Sequence, residues 1–432
     1  MKSLWNQTVK LSRFPTLEKD IKTDVLIIGG GLAGLLCAHR LKEAGAECVL
    51  VEANEIFGCV SGNTTAKITS QHGLIYGKLV KTYGVKKARK YYLANEKAIG
   101  KYRTLCKNID CDFEEKDNFV YSIGDRKKLA AELAAIQKIG VKADFVANAP
   151  LPFDVAGAVR FSGQAQFHPK KFARAVAEGL NIYEHTRICS FDGKNFCTDR
   201  NKITAKKTVV ATHFPIFNKH GMFFMKLYQH RSYVLALENA QNVNGMYVDE
   251  SDTGLSFRNY GHLLLLGGGS HHTGKSGGGF AELEKAAAKF YPDATVKYRW
   301  ATQDCMTLDS VPYIGRYSEN TPDLFVATGF NKWGMTSSMV AADILCDLVR
   351  SQNNEFAKVF SPSRTVMHPG LFVNAFHSAS GLLTPTVPRC PHMGCALKWN
   401  KQEHTWDCPC HGSRFTADGK LIDNPATGNM KK

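Results

Sequence analysis

Near the N-terminus the chain runs apolar segment, glycine turn, helix-period segment, apolar segment: DVLIIGGGLAGLLCAHRLKEAGAECVLVEAN from Asp24. That order predicts a complete βαβ unit whose second strand ends at Glu52. In KLVKTYGVKKARKYY (78–92), Leu79, Val80, Tyr83, Val85, Tyr91 and Tyr92 recur at helical spacing, which predicts an amphipathic surface helix. TVVATHFP (208–215), SYVLALE (232–238) and HLLLLGGG (262–269) predict strands, and VATGFNKWGMT (326–336) leads into an apolar helix. The Ser-, Asn- and Pro-rich stretch that follows predicts a linker over 351–386. Between Tyr76 and Pro150, and again from about Phe217 to Trp300, the pattern is less periodic. There is no internal repeat, and no apolar run reaches the ~18 residues of a membrane helix.

The glycines of the first turn have separate tasks. Gly29 makes the tight turn after the strand, Gly31 lets backbone N–H groups approach a pyrophosphate, and Gly34 lets the helix pack on the sheet. The helix N-terminus adds a positive dipole end. Glu52 is placed to accept hydrogen bonds from ribose hydroxyls. A dinucleotide is therefore expected. Its position at the very start of the chain, and the Gly/Ser/Thr-rich loop GCVSGNTTAKITSQHG (58–73), favour FAD over NAD, with Thr64, Thr65 and Ala66 among the expected contacts.

With 432 residues and 44% hydrophobic positions, the chain has material for two or three domains. The N-terminus lacks an apolar signal segment, so a cytoplasmic protein without a membrane span is expected. A net charge of +16 fits an anionic partner, such as an acidic electron carrier, or a basic solvated exterior; no nucleic-acid motif accompanies it. Of 13 cysteines, Cys390, Cys395, Cys408 and Cys410 crowd together near the C-terminus, which points to a metal and away from a secreted disulfide scaffold.

That C-terminal segment carries Cys390-x-His392 and Cys408-x-x-His411. Two thiolates and two imidazoles suit either zinc or an iron–sulfur cluster. Cys395 and Cys410 stand symmetrically in the two loops, more than a zinc ribbon requires. With Gly394, Pro409, Gly412 and Ser413 also present, the segment resembles the high-potential Rieske proteins, C-x-H-x-G-C and C-P-C-H-G-S. The resemblance implies a [2Fe-2S] cluster on Cys390, His392, Cys408 and His411, and a disulfide between Cys395 and Cys410. Imidazole ligands raise the potential by leaving the cluster less negative, and a Ser413 hydrogen bond to a sulfide adds to this. Turn signals at Asp418-Gly419 and Asn424-Pro425 close short strands beneath the loops. Only the stretch from about Gly370 to Arg389 precedes the first loop, so this subdomain is expected to lean on the rest of the chain.

Residues 24 to about 350 resemble the FAD-dependent oxidoreductases of the D-amino-acid oxidase and glycine oxidase type. The matching segments, besides the glycine turn, are GQAQFHP (163–169), TVVATHFP, VPYIGR (311–316) and VATGFNKWGMT. The implied fold is an α/β Rossmann-like FAD-binding domain (20–80, 151–216 and 301–350), an α+β substrate domain with an antiparallel sheet (81–150 and 217–300), and a small all-β cluster-binding subdomain (387–432). The resemblance puts Gly329, Gly334, Met335 and Thr336 beside the flavin ring, and gives His72, His168 and His213 either flavin-edge or structural places. His271 and His272 are expected in a turn.

Oxidases of amino acids in this family clamp the substrate carboxylate with an arginine at the position that is Asp304 here. An acid there suits an amine, unless Lys332, Arg258 or Arg316 supplies the cation, Lys332 being the best placed. The expected function is a dehydrogenase that takes a hydride from an amine- or amino-acid-like molecule and passes electrons singly through the cluster to an external carrier. The alternatives are an electron-transfer flavo-iron-sulfur protein without its own organic substrate, and a flavoenzyme with a structural zinc tail. Against the former, the glycine stretch GGGSHHTGKSGGG follows a strand but is expected to open no helix that would make a nicotinamide site.

Overall fold

The computed structural model describes residues 2–217, 220–364 and 388–430. The predicted βαβ unit is present. Strand Ile21–Ile28 pairs in parallel with Cys48–Val51 on one side and Lys202–Val210 on the other, at the centre of an eight-stranded sheet. Helix Leu32–Glu43 joins the first two strands. Its residues Leu32, Leu35, Leu36 and Leu41 are buried in one core with Met339, Ile344 and Leu345 of helix Gly334–Val349. An apolar stripe covered on one side by a sheet and on the other by a second helix is the packing a parallel sheet requires.

A nine-stranded sheet faces the first. Its order is Thr295–Thr307, Leu227–Glu238, Leu263–His272, Ser256–Tyr260, Met246–Asp249, Glu114–Ser122, Gly157–Gln166 and Lys67–Ile68, with Asp144–Val146 beside Gly157–Gln166. Strands Gly157–Gln166 and Thr295–Thr307 belong here by their antiparallel partners, Glu114–Ser122 and Leu227–Glu238. The boundaries expected at 151 and 301 therefore do not divide the two sheets, because a strand joins whichever sheet holds its hydrogen-bonding partner.

Helix Tyr76–Leu105 contains the predicted 78–92 segment, but Gly84 has a φ of +79°. That break shifts the helical phase, so Val85, expected on the apolar face, is exposed, while Tyr76, Leu79 and Tyr91 are buried. The first part of the expected linker is packed. Phe356, Val359 and Phe360 join the main core, and Arg364 forms a buried two-pronged ion pair with Asp309. Residues 365–387, the remainder of that linker, lie outside the described residues. The glycine stretch around 277–279 runs into helix Gly279–Phe290, contrary to expectation, and His271 and His272 end strand Leu263–His272 instead of occupying a turn. A third, four-stranded antiparallel sheet is formed by Lys398–Asn400, Thr405–Asp407, Arg414–Thr416 and Leu421–Asp423. Among the described residues no helix is long and apolar enough to cross a membrane.

Candidate active site and metal centre

Between the two large sheets lies a cavity of about 440 Å³ at the ends of strands Ile21–Ile28, Cys48–Val51 and Lys202–Val210. That is the place where open parallel sheets bind ligands, and its size falls in the usual range for such sites. Gly29, Gly31, Glu52, Thr64, Thr65, Gly329, Gly334 and Met335 all line it. Gly29 has φ +110°, and a β-carbon on Gly34 would lie 1.9 Å from the Gly29 carbonyl oxygen. Gly34 thus lets the helix close on the turn. Gly34→Ala should cost about 1–3 kcal/mol as an overpacked site, read as a lower melting temperature, and should reduce the FAD-to-protein ratio of the purified chain.

Glu52 is half-buried just past its strand end, accepting from the backbone N–H of Gly30 and of Asn54, each at 2.8 Å, and desolvation raises its carboxyl above the usual range. Ala66, Gly34 and Thr336 stand behind the cavity wall. Thr336 donates to the Thr69 carbonyl at 3.0 Å and bonds His72 Nε2 at 3.0 Å. His72 stacks on Trp333 and is brought down to about 3 by burial, so it is a neutral structural ring. His168 caps helix Pro169–Ala177 through Lys171 N. Of the three histidines weighed from sequence, His213 faces the cavity together with His72.

The turn after strand Leu324–Thr328 aims Lys332 at the cavity. Asn331 and Lys332 both have left-handed φ, +51° and +70°. Asn331 holds them there by accepting from Thr307 N and donating to the Gly329 carbonyl, both at 2.7 Å. A polar chain then crosses the cavity wall. Lys332 Nζ donates to Ser270 Oγ at 3.2 Å, Ser270 Oγ bonds Ser232 Oγ at 3.2 Å, and Ser232 donates to Asp304 Oδ2 at 3.3 Å. Burial lowers the Lys332 ammonium and raises the Asp304 carboxyl, the latter opposed by Lys332. Sequence reasoning named both ends of this chain and missed the serines between them. It also missed Lys67, a cavity-lining lysine that burial brings down to about 7. Arg258 is buried above the Trp5 ring and Arg316 is exposed, and neither lines the cavity.

At the other end of the chain two similar loops face each other. In one, Cys390 N donates to Cys395 O and Gly394 N to Cys390 O; in the other, Cys408 N donates to Ser413 O and Gly412 N to Cys408 O, at 2.8–2.9 Å. Cys390 and Cys408 are buried with their sulfurs in contact, and the rings of His392 and His411 are 5.0 Å apart and nearly perpendicular. A donor set of two sulfurs and two imidazoles, sheltered at loop tips, fits a [2Fe-2S] cluster with thiolates on one iron and imidazoles on the other. The sulfur atoms of Cys395, Cys408 and Cys410 lie within 4.8 Å of one another, with the Cys395 and Cys410 side chains in contact.

The model of the family FAD dependent oxidoreductase matches residues 24–348. The chain belongs to this family. A Rieske [2Fe-2S] domain matches residues 363–432 of the same flavoenzyme. Its cofactors are FAD and a Rieske [2Fe-2S] cluster, so the zinc alternative falls away. This oxidoreductase is 34% identical to the Rieske 2Fe-2S iron-sulfur protein YhfW of Bacillus subtilis (strain 168), across 99% of this chain and 96% of that one. It is 23% identical to gamma-glutamylputrescine oxidoreductase of Escherichia coli (strain K12), across 80% of this chain and 88% of that one. Glycine oxidase from Geobacillus kaustophilus shares the fold at 19% identity, with a TM-score of 0.66, covering 80% of this chain and 99% of that one.

In this flavoenzyme the Rieske domain is docked on the nine-stranded sheet. Arg231, 3% exposed, grips both carboxylate oxygens of Glu403, with Nε to Oε1 at 3.0 Å. Tyr233 also donates to Glu403, at 3.0 Å. Behind Glu403, Arg414 pairs with Glu403 at 2.8 Å, Asp407 at 3.0 Å and Asp423 at 3.1 Å. Asn424 donates to the Phe214 carbonyl at 2.7 Å. Leu421, Asp423, Asn424 and Thr427 of the Rieske domain line the same cavity as Gly29 and Lys332.

Proposed function

We propose that this oxidoreductase is a dehydrogenase of a small amine- or amino-acid-like molecule that hands its electrons through the cluster to an external one-electron carrier. The observation that supports the reading is that Leu421, Asp423 and Asn424 of the Rieske domain form part of the wall of the cavity that would hold the flavin. Gly29, Gly31, Glu52, Thr64, Thr65, Gly329, Gly334 and Met335 would hold FAD, which would supply the hydride acceptor, and Cys390, His392, Cys408 and His411 would hold the cluster, which would supply the one-electron outlet. The substrate's CH–NH bond becomes C=N, releasing two electrons and two protons, and two equivalents of the carrier consume the electrons.

Asp304 and Ser232 offer acceptors to an ammonium at one end of the polar chain, and Lys332 offers a cation at the other. The name of the E. coli relative, an oxidoreductase of a polyamine derivative, supports an amine. Anaerobic addition of amines and amino acids should bleach the flavin and develop the EPR signal of a reduced Rieske centre. Hydrogen peroxide formed in step with substrate loss, with the cluster staying oxidised, overturns the reading.

The Asp304 carboxyl gives this a pH signature. It must be ionised to hold an ammonium, and burial raises its pKa above the ~3.9 of a free aspartate. Flavin reduction should therefore fall on the acid side at a higher pH than an exposed aspartate dictates. Asp304→Asn should remove that acid limb and raise KM, measured by stopped-flow bleaching across pH.

A further inference from the structure

We propose that Gln229 is the positioning residue that joins the flavin cavity to the iron–sulfur loop, through a hydrogen-bond chain from His213 to the backbone of His411. The inference rests on the electron-outlet reading given above. Gln229 is fully buried on strand Leu227–Glu238. Its Nε2 donates to the His411 carbonyl at 2.8 Å and to the Asn424 carbonyl at 3.0 Å, both in the Rieske domain. Two acceptors for one NH2 group fix which end of the amide is nitrogen. Oε1 is then the acceptor, and two donors meet it: Gln303 Nε2 at 2.8 Å and His213 Nε2 at 3.1 Å.

The second amide is equally constrained. Gln303 Nε2 also donates to the Gly412 carbonyl at 2.8 Å, and its Oε1 accepts from Thr273 Oγ1 at 3.0 Å. Flipping Gln229 would set N–H against N–H and flipping Gln303 would set oxygen against oxygen, so Oε1 of Gln229 stays an acceptor and His213 carries its proton on Nε2, donating toward the cluster loop. His213 is itself part of the cavity wall. The result is an unbroken covalent and hydrogen-bonded line from that wall, through the imidazole and the Gln229 amide, to the peptide of His411.

The loop is admitted by a glycine. A β-carbon on Gly412, which has φ +83°, would lie 2.7 Å from Gln229 Cβ. Gln229 and Gln303 therefore both hold the loop, but only Gln229 also reaches His213. This asymmetry separates a coupling role from simple docking. The cluster that this loop would hold would accept one electron at a time and pass each to the external carrier. Donation to the peptide of His411 also favours the reduced cluster.

The test uses the anaerobic holoenzyme with the flavin reduced by light and a sacrificial donor, freeze-quenched and followed by EPR of the cluster. Gln229→Met should retain the cluster, lower its midpoint potential and slow its reduction by about tenfold or more, the usual cost of losing a partner of a ligand. Gln303→Met, which leaves the His213–Gln229–His411 line intact, should reduce the cluster near the wild-type rate. Unchanged transfer in Gln229→Met, or equal slowing in both variants, overturns the proposal. If Gln229→Met assembles no cluster, His213→Leu decides: slowing with an unshifted potential supports the line, and wild-type transfer refutes it. A wild-type cluster that the reduced flavin never reduces would instead overturn the electron-outlet reading itself.

Discussion

Arg231→Met should lower the stability of the docked Rieske domain by about 3 kcal/mol, the lower part of the range for breaking a buried ion pair. Glu403 would stay buried but lose the guanidinium that grips both its oxygens, retaining Arg414 and Tyr233. The loss is large because both partners are almost fully enclosed, 3% and 9% exposed, and water cannot replace the missing donor. The exposed pair Lys206–Asp24, by contrast, is screened by solvent and should contribute little. Burial acts to raise the Glu403 carboxyl, but Arg231 and Arg414 overcome it and bring it down to about 2. A depressed acid stabilises above its unfolded pKa and loses that contribution as pH falls through the folded one. Wild-type docking should therefore weaken only between about pH 4.3, the free glutamate value, and about 2. In Arg231→Met the folded-state carboxyl moves up toward that free value, so the acid-dependent loss should be smaller and complete at a higher pH. Thermal melts and the rate of tryptic release of the C-terminal fragment across pH measure both effects; identical wild-type and variant curves would mean that Arg231 does not hold the interface.

The parts of this molecule legible in the sequence are those whose chemistry is local. Gly29, Gly31, Gly34 and Glu52 lie within one strand–turn–helix–strand segment, and each occupies the place its spacing implies. The same holds for the two cysteine–histidine loops, whose turns are closed by bonds within a few residues. What escaped the sequence depends on pairing between distant segments. Ser232 meets Asp304 because strands Leu227–Glu238 and Thr295–Thr307 run in register, and no residue near either serine signals this. Gly157–Gln166 joins the second sheet through its partner Glu114–Ser122, a choice not written in its own apolar pattern. Residues 351–364 look like a linker by composition, yet one buried arginine, Arg364, ties them to Asp309. Long-range ion pairs of this kind leave only ordinary charged residues in the sequence.

Cys408→Ser should abolish the cluster and, with it, the independent order of the Rieske domain, while leaving the flavin body folded. The reason is the size of the domain's own core. Among the described residues its buried apolar cluster comprises Leu397, Phe415 and Ala426 besides Cys390, Cys395, Cys408 and Cys410, with Trp406, Leu421 and Met430 partly buried against it. So few side chains cannot offset the conformational entropy of ordering residues 388–430. Metal ligation in small domains supplies on the order of 10 kcal/mol of folding free energy, and a serine oxygen is a poor substitute for a thiolate on iron. Cys408 is also placed where the loss propagates: Gly412 N and the Ser413 carbonyl bond to its backbone, and the adjoining loop residues His411 and Gly412 accept from Gln229 and Gln303. Loosening that loop removes the seat against which Glu403 and Arg231 are aligned. Hydrogen exchange should therefore show loss of protection across 397–426 but wild-type protection in strand Ile21–Ile28 and helix Leu32–Glu43, with FAD content per chain unchanged and the Rieske EPR signal absent. Retained protection in 397–426 without a cluster would mean that the Arg231–Glu403–Arg414 network alone holds the domain in place, and that the cluster is a passenger on a surface already folded by docking.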